Sequence, residues 1–429
     1  MSEAPRGILA NLPLSTRQVL IIVVCVLLIA IDGFDVLSIS FAAPGIAAQW
    51  GIERAALGLV LSLELMAMAV GSFVLGPIAD RIGRRPIVLI SLSLVAIGML
   101  ATTAVDSVLT LGICRLLTGV GIGGMLPSVN VIAAEFTPQT HRSLTVTLVT
   151  TGYPLGAVVA GSIASALLAH YDWRSVFWLG GVLSLLCLPL VWFLIPESLE
   201  FLAKKQPVDA LQKINRALAR FEHPLLAELP RDTSDRAVSK GLLLEPRWIH
   251  TTVLLSVAYF GHVMTSYFIL KWGAKVVADL GYPVSLAGSV LVWSNTGGLI
   301  GCLLFSVLTR KLRLHWMLIS VMLGSCVAVA AFGQGLTTMT QLSISAALAG
   351  FFTQAGIVGL YALVVQAYPT EVRTGGFGLV MAIGRGGAAL SPIVAGLMFQ
   401  GGIGLSMVAV AMSTGSLIAI AALFLLARR

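Results

Sequence analysis

Twelve apolar runs of about 20 residues, parted by short polar breaks, divide this chain almost from end to end. Each is long enough to cross roughly 30 Å of hydrocarbon as an α-helix. They lie near 18–43, 55–79, 86–105, 107–134, 143–169 and 174–195, then near 249–271, 284–309, 314–333, 339–365, 374–399 and 403–427. Backbone groups in lipid have no water to bond, so a chain of such runs folds as an all-α bundle. A polar stretch separates six runs from six. That layout predicts an N-terminal bundle over 1–195, a linker over 196–248 and a C-terminal bundle over 249–429. The segment from Val208 to Phe221 has the pattern of a helix lying on a membrane surface.

Composition agrees. Only 11% of the 429 residues are charged and 57% are hydrophobic, whereas a soluble domain carries roughly 25% charge. Lipid is therefore the expected solvent for most of the surface. The 44 glycines fit helices that approach closely. Cys25, Cys114, Cys187, Cys302 and Cys326 all stand in apolar runs without metal or redox spacing, and read as small buried hydrophobes. Residues 1–17 are polar and the run after them has no cleavage site of the signal-peptide kind, so it reads as a first span.

The formal charge of +8 points to orientation and not to nucleic acid. With the N-terminus placed in the cytoplasm, the inner segments hold 21 lysines and arginines and the outer loops hold three, Arg54, Arg174 and Lys275. That bias predicts both termini inside. Three cations remain within or at the edge of spans: Arg115, Lys271 and Arg385.

The loop after the second run reads GPIADRIGRRP, from Gly76 to Pro86. It resembles the loop between the second and third helices of the major facilitator superfamily of secondary transporters. The later loop SVLTRKLRLHW repeats the basic cluster without the Asp and Gly. The resemblance implies twelve helices in two pseudo-symmetric six-helix bundles around a central cavity, working as two halves that rock. It also implies gating roles for Asp80, Arg81, Gly83 and Arg84. Glu135 and Arg142, at the inner end of the fourth run, are further candidates for a cytoplasmic gate, or else a loop salt bridge.

Within the superfamily, IDGFDVLSISFAAP (31–44), CRLLTGVGIGGMLP (114–127), EFTPQTHR (135–142), WRSVFWLGG (173–181) and PESLEFL (196–202) resemble the aromatic acid:proton symporter family. The DGFD element is the most specific of these. Such a resemblance implies a bacterial inner-membrane importer of a small aromatic carboxylate, acting as a monomer, with protons as the coupling ion and no cofactor.

The residues carry matching chemistry. Asp32 and Asp35 stand one turn apart on one helical face near the middle of the first run. Charges at that depth face a cavity or a partner, and two carboxylates so close resist simultaneous ionisation. They are candidates for proton coupling, with local repair of a broken helix as the other reading. Glu64 is a third candidate, either titratable or paired with an arginine. Arg385, in GRGG, is the first choice for a substrate carboxylate, because its planar fork suits that group and three glycines leave room beside it. Arg115 is a candidate ligand or a partner of Asp32 or Asp35. Lys271 is a ligand candidate or snorkels to the outer interface. Tyr153, Tyr267, Trp293 and Tyr361 are candidates to stack on a benzene ring. Asn295 and Gln354 can bond ring hydroxyls or cross-link helices. His262 reads as a satisfied hydrogen-bonder or a proton site.

GVGIGG lies inside a span with no preceding strand, so it is a packing surface and not a dinucleotide loop. No Walker motif and no metal spacing occur in the sequence, and the chain is not expected to be an enzyme. The alternatives to an aromatic-acid importer are an importer of a sugar acid or dicarboxylate, a drug or metabolite exporter, and a membrane sensor.

Overall fold

The computed structural model describes residues 14–221, 223–229, 246–309, 311–368 and 370–427. Among the described residues there are fourteen helices and no strand: α1 (Thr16–Trp50), α2 (Arg54–Ile82), α3 (Arg84–Thr102), α4 (Val108–Glu135), α5 (Arg142–Leu167), α6 (Arg174–Leu194), α7 (Leu199–Lys205), α8 (Ala210–Arg220), α9 (Pro246–Asp279), α10 (Val284–Leu308), α11 (Leu314–Phe332), α12 (Met339–Ala367), α13 (Thr370–Gln400) and α14 (Leu405–Ala427). Twelve of them, all but α7 and α8, are long and apolar enough to cross a membrane. The expected basic residues Arg6, Arg231, Arg236, Lys240, Arg310, Arg428 and Arg429 lie outside the described residues.

Several helices outrun the apolar stretches that announce them. α1 continues through Pro44 and stops only at Gly51, whose φ of 59° takes the chain out of the helix. Proline reads as a stop because it lacks an N–H and crowds the preceding turn, yet here the helix holds through it. At its start, Ser15 and Gln18 form a reciprocal capping box. α9 runs two turns beyond Lys271, through an i,i+4 pair of Lys275 and Asp279.

The two halves use one packing plan. In the first, α2 packs on α4, α1 on α5 and α6, and α3 on α4 and α6. In the second, α10 packs on α12, α9 on α13 and α14, and α11 on α12 and α14. The halves meet through α2 against α13 and through α5 against α10, again an equivalent pair, with α1 facing α9 between them. This is the duplicated six-helix architecture that the two sets of apolar runs predict.

Small residues set the spacing. A Cβ on Gly119 would lie 2.4 Å from the Glu64 carbonyl oxygen, and one on Gly123 2.1 Å from that of Met68. The GVGIGG stretch is thus the face on which α2 and α4 touch, as membrane helices with small interfacial residues do.

Connections alternate between two faces. One carries the α1–α2 loop and, at the same level, the α9–α10 and α13–α14 loops. The other carries the α2–α3 loop and the linker. On the first face the halves are tied together. Arg54 pairs with Asp279 at 3.3 Å, the Ala55 N–H donates to Gln400 Oε1 at 2.9 Å, and Gln400 Nε2 donates to Glu53 at 2.8 Å. Just below, a Cβ on Gly58 would lie 2.4 Å from the Pro392 carbonyl oxygen.

Candidate functional site

The interior of the first half holds five charged side chains with no exposed surface. Asp32, Asp35, Glu64 and Arg115 come from α1, α2 and α4, and Lys271 comes from α9 of the second half. Arg115 organises them. Its Nη1 lies 3.4 Å from Asp35 Oδ1, 3.6 Å from Glu64 Oε1 and 3.3 Å from Ser38 Oγ. Nη2 donates to Thr102 Oγ1 at 3.2 Å and approaches Met99 Sδ at 3.3 Å. The guanidinium sits over the Phe177 ring, 4.7 Å from its centroid. Thr118 Oγ1 donates to Glu64 at 3.4 Å. Neither oxygen of Asp32 has a hydrogen-bond partner among the described residues, and Asp35 Oδ2 and Glu64 Oε2 also lack one. Lys271 reaches across the half interface and donates to the Val36 carbonyl of α1.

Gly33 explains how a two-aspartate turn fits there. A Cβ at that position would fall 2.1 Å from the Tyr153 carbonyl oxygen, so α1 and α5 touch backbone to backbone beside Asp32. The phenol of Tyr153 faces Tyr267 of the second half, and both lie within the field of Glu64.

Tyr267 belongs to a second group. Tyr259 and Tyr361 share a hydroxyl hydrogen bond at 3.1 Å with ring centroids 5.8 Å apart. Phe377 stacks edge-on against Tyr361 at 5.5 Å. The Arg385 charge acts on Tyr259, Tyr267 and Tyr361, and its Nη1 donates to Ser72 Oγ of α2 at 2.7 Å. Arg385, Tyr153, Tyr267 and Tyr361 sit mid-helix yet remain only partly buried. Counted along the helices from the α1–α2 face, Arg115 lies roughly 10 Å deep and Arg385 roughly 22 Å deep, at 1.5 Å of rise per residue.

The structure therefore joins most of the candidates. Asp32, Asp35, Glu64, Arg115 and Lys271 form one cluster. Arg385, Tyr267 and Tyr361 form the neighbouring group, with Tyr153 between the two. Some expected details differ. The room that GRGG offers beside Arg385 is filled by α9: a Cβ on Gly384 would strike the Tyr259 ring at 1.7 Å and one on Gly387 the Phe260 carbonyl oxygen at 2.3 Å. Trp293 is half exposed, in an apolar groove of about 560 Å³ with Ile344 and Phe351, apart from the arginine and tyrosines. Asn295 is buried and donates back to Leu291 at 2.8 Å, and Gln354 lays its stem on Gly298. Gln354 thus packs at the α10–α12 seam, while the Asn295 bond stays within α10. His262 is held at both ring nitrogens, by the Thr353 carbonyl at 2.9 Å and Ser416 Oγ at 3.0 Å.

The residues given gating roles lie at the linker face. Gly83, with φ at 112°, makes the turn between α2 and α3. Asp80 pairs with Arg84 one turn on, and Arg81 is exposed. Glu197 accepts from the Arg84 and Arg85 N–H groups at 2.7 and 3.2 Å and so caps α3. Glu135 accepts from the Glu200 N–H at the start of α7, and Arg142 Nε donates to the Ala134 carbonyl at 3.0 Å. These two bonds dock the linker and the α4–α5 corner onto the first half. Tyr259, Ser72, Ser38, Thr102 and Thr118 are the members not singled out from sequence. Nothing local marks them, since each gains meaning only from a partner on a distant helix.

Chemically, the buried cluster can take up and release a proton among three carboxylates, while the arginine and phenols can hold an aromatic anion. Comparison with known proteins gives the family. The Major Facilitator Superfamily profile matches residues 25–314. The gallate transporter of Pseudomonas putida is 32% identical over 92% of this chain and 88% of its own length. The 4-hydroxybenzoate transporter PcaK of Acinetobacter baylyi is 30% identical over 89% and 85%, and the 3-(3-hydroxy-phenyl)propionate transporter of Escherichia coli 30% over 97% and 95%. In fold, the crystal structure of a D-xylose-proton symporter superposes with a TM-score of 0.71 at 18% identity, covering 95% of this chain and 96% of that one. The chain is thus a multi-pass membrane protein of the major facilitator superfamily, a transporter and not an enzyme, and belongs within that superfamily to the aromatic acid:proton symporter family.

Proposed function

We propose that this protein imports a small aromatic carboxylate of the benzoate or hydroxybenzoate kind together with a proton, by alternating access. The observation that carries the reading is the juxtaposition of two groups: a buried acid cluster around Arg115, and an arginine among tyrosines around Arg385, bridged by Tyr153 and Tyr267. Relatives that transport gallate, 4-hydroxybenzoate and a hydroxyphenylpropionate supply the substrate class.

In this mechanism Arg385 takes the carboxylate by its planar fork, and the tyrosine rings flank the benzene ring. Asp32 is the proton carrier. It is a buried carboxyl with neither oxygen partnered, where an ionised group would be uncompensated at a cost of several kcal/mol, and a proton removes that charge. Arg115 holds Asp35 and Glu64 in place beside it. A monoanion entering with one proton moves no net charge, so membrane voltage contributes nothing directly to that stoichiometry. The basic linker face lies in the cytoplasm with both termini, the membrane is the bacterial inner membrane, and one chain suffices.

The test is uptake of labelled gallate, 4-hydroxybenzoate and benzoate into liposomes bearing the purified protein, with and without an inward proton gradient. Gradient-driven accumulation of at least one of them is the expected result. Uptake of sugar acids or dicarboxylates in place of every aromatic acid would overturn the substrate assignment.

A further inference from the structure

Lys271 is the one fully buried cation that the second half contributes among the described residues, and it is spent on the first half. Its ammonium donates to the Val36 carbonyl, one residue from Asp35. The charged groups that reach it are Glu64 of α2 foremost, then Arg115 of α4 and Asp35 of α1. On its own helix, Lys275 and Asp279 pair with each other at the far end, and Arg385 of α13 lies toward the opposite face, with Tyr259 and Tyr361. A snorkelling lysine would turn its head to the interface. This one turns inward, across the seam along which the halves must part.

Counting charges shows what that does. Asp35 and Glu64 face Arg115 permanently, with Asp32 beside those two carboxylates, because all four belong to the first half. With Lys271 in place, two cations face three carboxylates, and one proton makes the cluster neutral. When the α1–α2 face opens, α9 moves away from α1 and takes Lys271 with it. One cation then faces three carboxylates, and neutrality needs two protons. A buried uncompensated charge is the costly alternative.

Building on the proton-coupled reading above, we infer that Lys271 is a mobile counter-charge that replaces one proton in the carboxylate cluster each time the halves close at the α1–α2 face. The proton leaves a cluster carboxyl as Lys271 arrives and passes to water on the linker side. It is taken up again from the α1–α2 side as Lys271 withdraws. Lys271 is therefore a coupling residue and not a ligand of the substrate.

Two readouts separate this from the other roles. In the purified protein without substrate, the infrared band of protonated carboxyls at neutral pH grows by about one carboxyl in Lys271→Met, because the lost cation must be replaced by a proton. In liposomes, gradient-driven accumulation of labelled 4-hydroxybenzoate or gallate falls about tenfold or more in that variant, because the proton that balances the lost charge is held through the cycle and no longer released. Exchange of labelled for unlabelled compound without a gradient persists in Lys271→Met, since that variant keeps its extra proton in both states and the loaded halves still rock. Lys271→Arg keeps the charge, restores the infrared band to that of the parent and recovers part of the accumulation. An unchanged infrared band in a folded Lys271→Met protein would overturn the inference, and so would equal loss of exchange and accumulation. The infrared result stands whatever the substrate is, so failure of the aromatic-acid reading alone would show separately, as absence of uptake by the parent protein.

Discussion

Gly33 of α1 and Tyr153 of α5 touch so closely that a Cβ on the glycine would lie 2.1 Å from the tyrosine's carbonyl oxygen. The glycine of DGFD is thus a packing residue that brings Asp32 next to the phenol leading to the second half. Gly33→Ala should destabilise the protein by about 1–3 kcal/mol through overpacking. Thermal unfolding of the detergent-purified protein should show a lower midpoint, and uptake in liposomes should fall with it. An unchanged midpoint would mean that the two backbones are further apart.

Arg115 makes its contacts through both ends of a planar fork, reaching Asp35, Ser38, Glu64 and Thr102 at once. Lysine has one point of charge and cannot reproduce that span. Arg115→Lys should therefore abolish accumulation while preserving most of the fold. Arg115→Ala, which strands two buried carboxylates, should cost about 3–5 kcal/mol of stability. Unfolding curves and uptake on the same preparations check both.

Arg385 is held by Ser72 on the opposite half and surrounded by tyrosines. Removing a hydrogen-bonded charge from a binding site costs about 2 kcal/mol or more, which is about a 30-fold rise in KM for the aromatic carboxylate. Arg385→Gln should show that rise, and Arg385→Lys should recover only a small part of it, because a single ammonium does not make the paired bonds. Trp293→Ala, changed in the groove between α10 and α12, should leave KM unaltered.

The α1–α2 face is closed by backbone contact more than by charge. The Arg54–Asp279 pair is largely exposed, and such pairs contribute at most about 1 kcal/mol. By contrast, Gly58 lets α2 rest against the Pro392 carbonyl. Asp279→Asn should thus change uptake less than about fivefold, whereas Gly58→Val should wedge the halves apart and arrest transport. Labelling of a cysteine in place of Phe399, which is buried against Trp272 and beneath Arg54, should rise sharply in the Gly58→Val background if the face has been forced open.

Much of this arrangement is legible in the chain itself, and the parts that are not share a cause. Spans follow from hydropathy because lipid imposes it, so all twelve emerge. Their ends do not, because α1 passes through Pro44 and α9 extends past Lys271 on an ion pair that hydropathy counts as polar. The helix expected on the membrane surface over 208–221 is found as α8, but its apolar residues Ile214, Ala217 and Leu218 are buried in the first half's core, whereas the seven-residue α7 is too short to show a period. Its caps come from Ser198 and from Glu135 on a distant helix. Charges announce themselves in an apolar run, so Asp32, Asp35, Glu64, Arg115 and Arg385 stand out. Lys271 is ambiguous from sequence, since a lysine near a helix end can snorkel, and only the packing of α9 on α1 turns it inward. Tyr259 reads as one more aromatic until Gly384 leaves its ring a seat on α13.

The central claim is that aromatic acid and proton move together through the Asp32 cluster. The most direct measurement records both in the same liposomes, with a trapped pH-sensitive dye reporting the lumen while labelled 4-hydroxybenzoate or gallate enters down its own gradient. The account predicts that the lumen acidifies in step with uptake by the parent protein and that Asp32→Asn abolishes the acidification. Uptake by the parent protein with no change in luminal pH, or acidification that persists in Asp32→Asn, would contradict it.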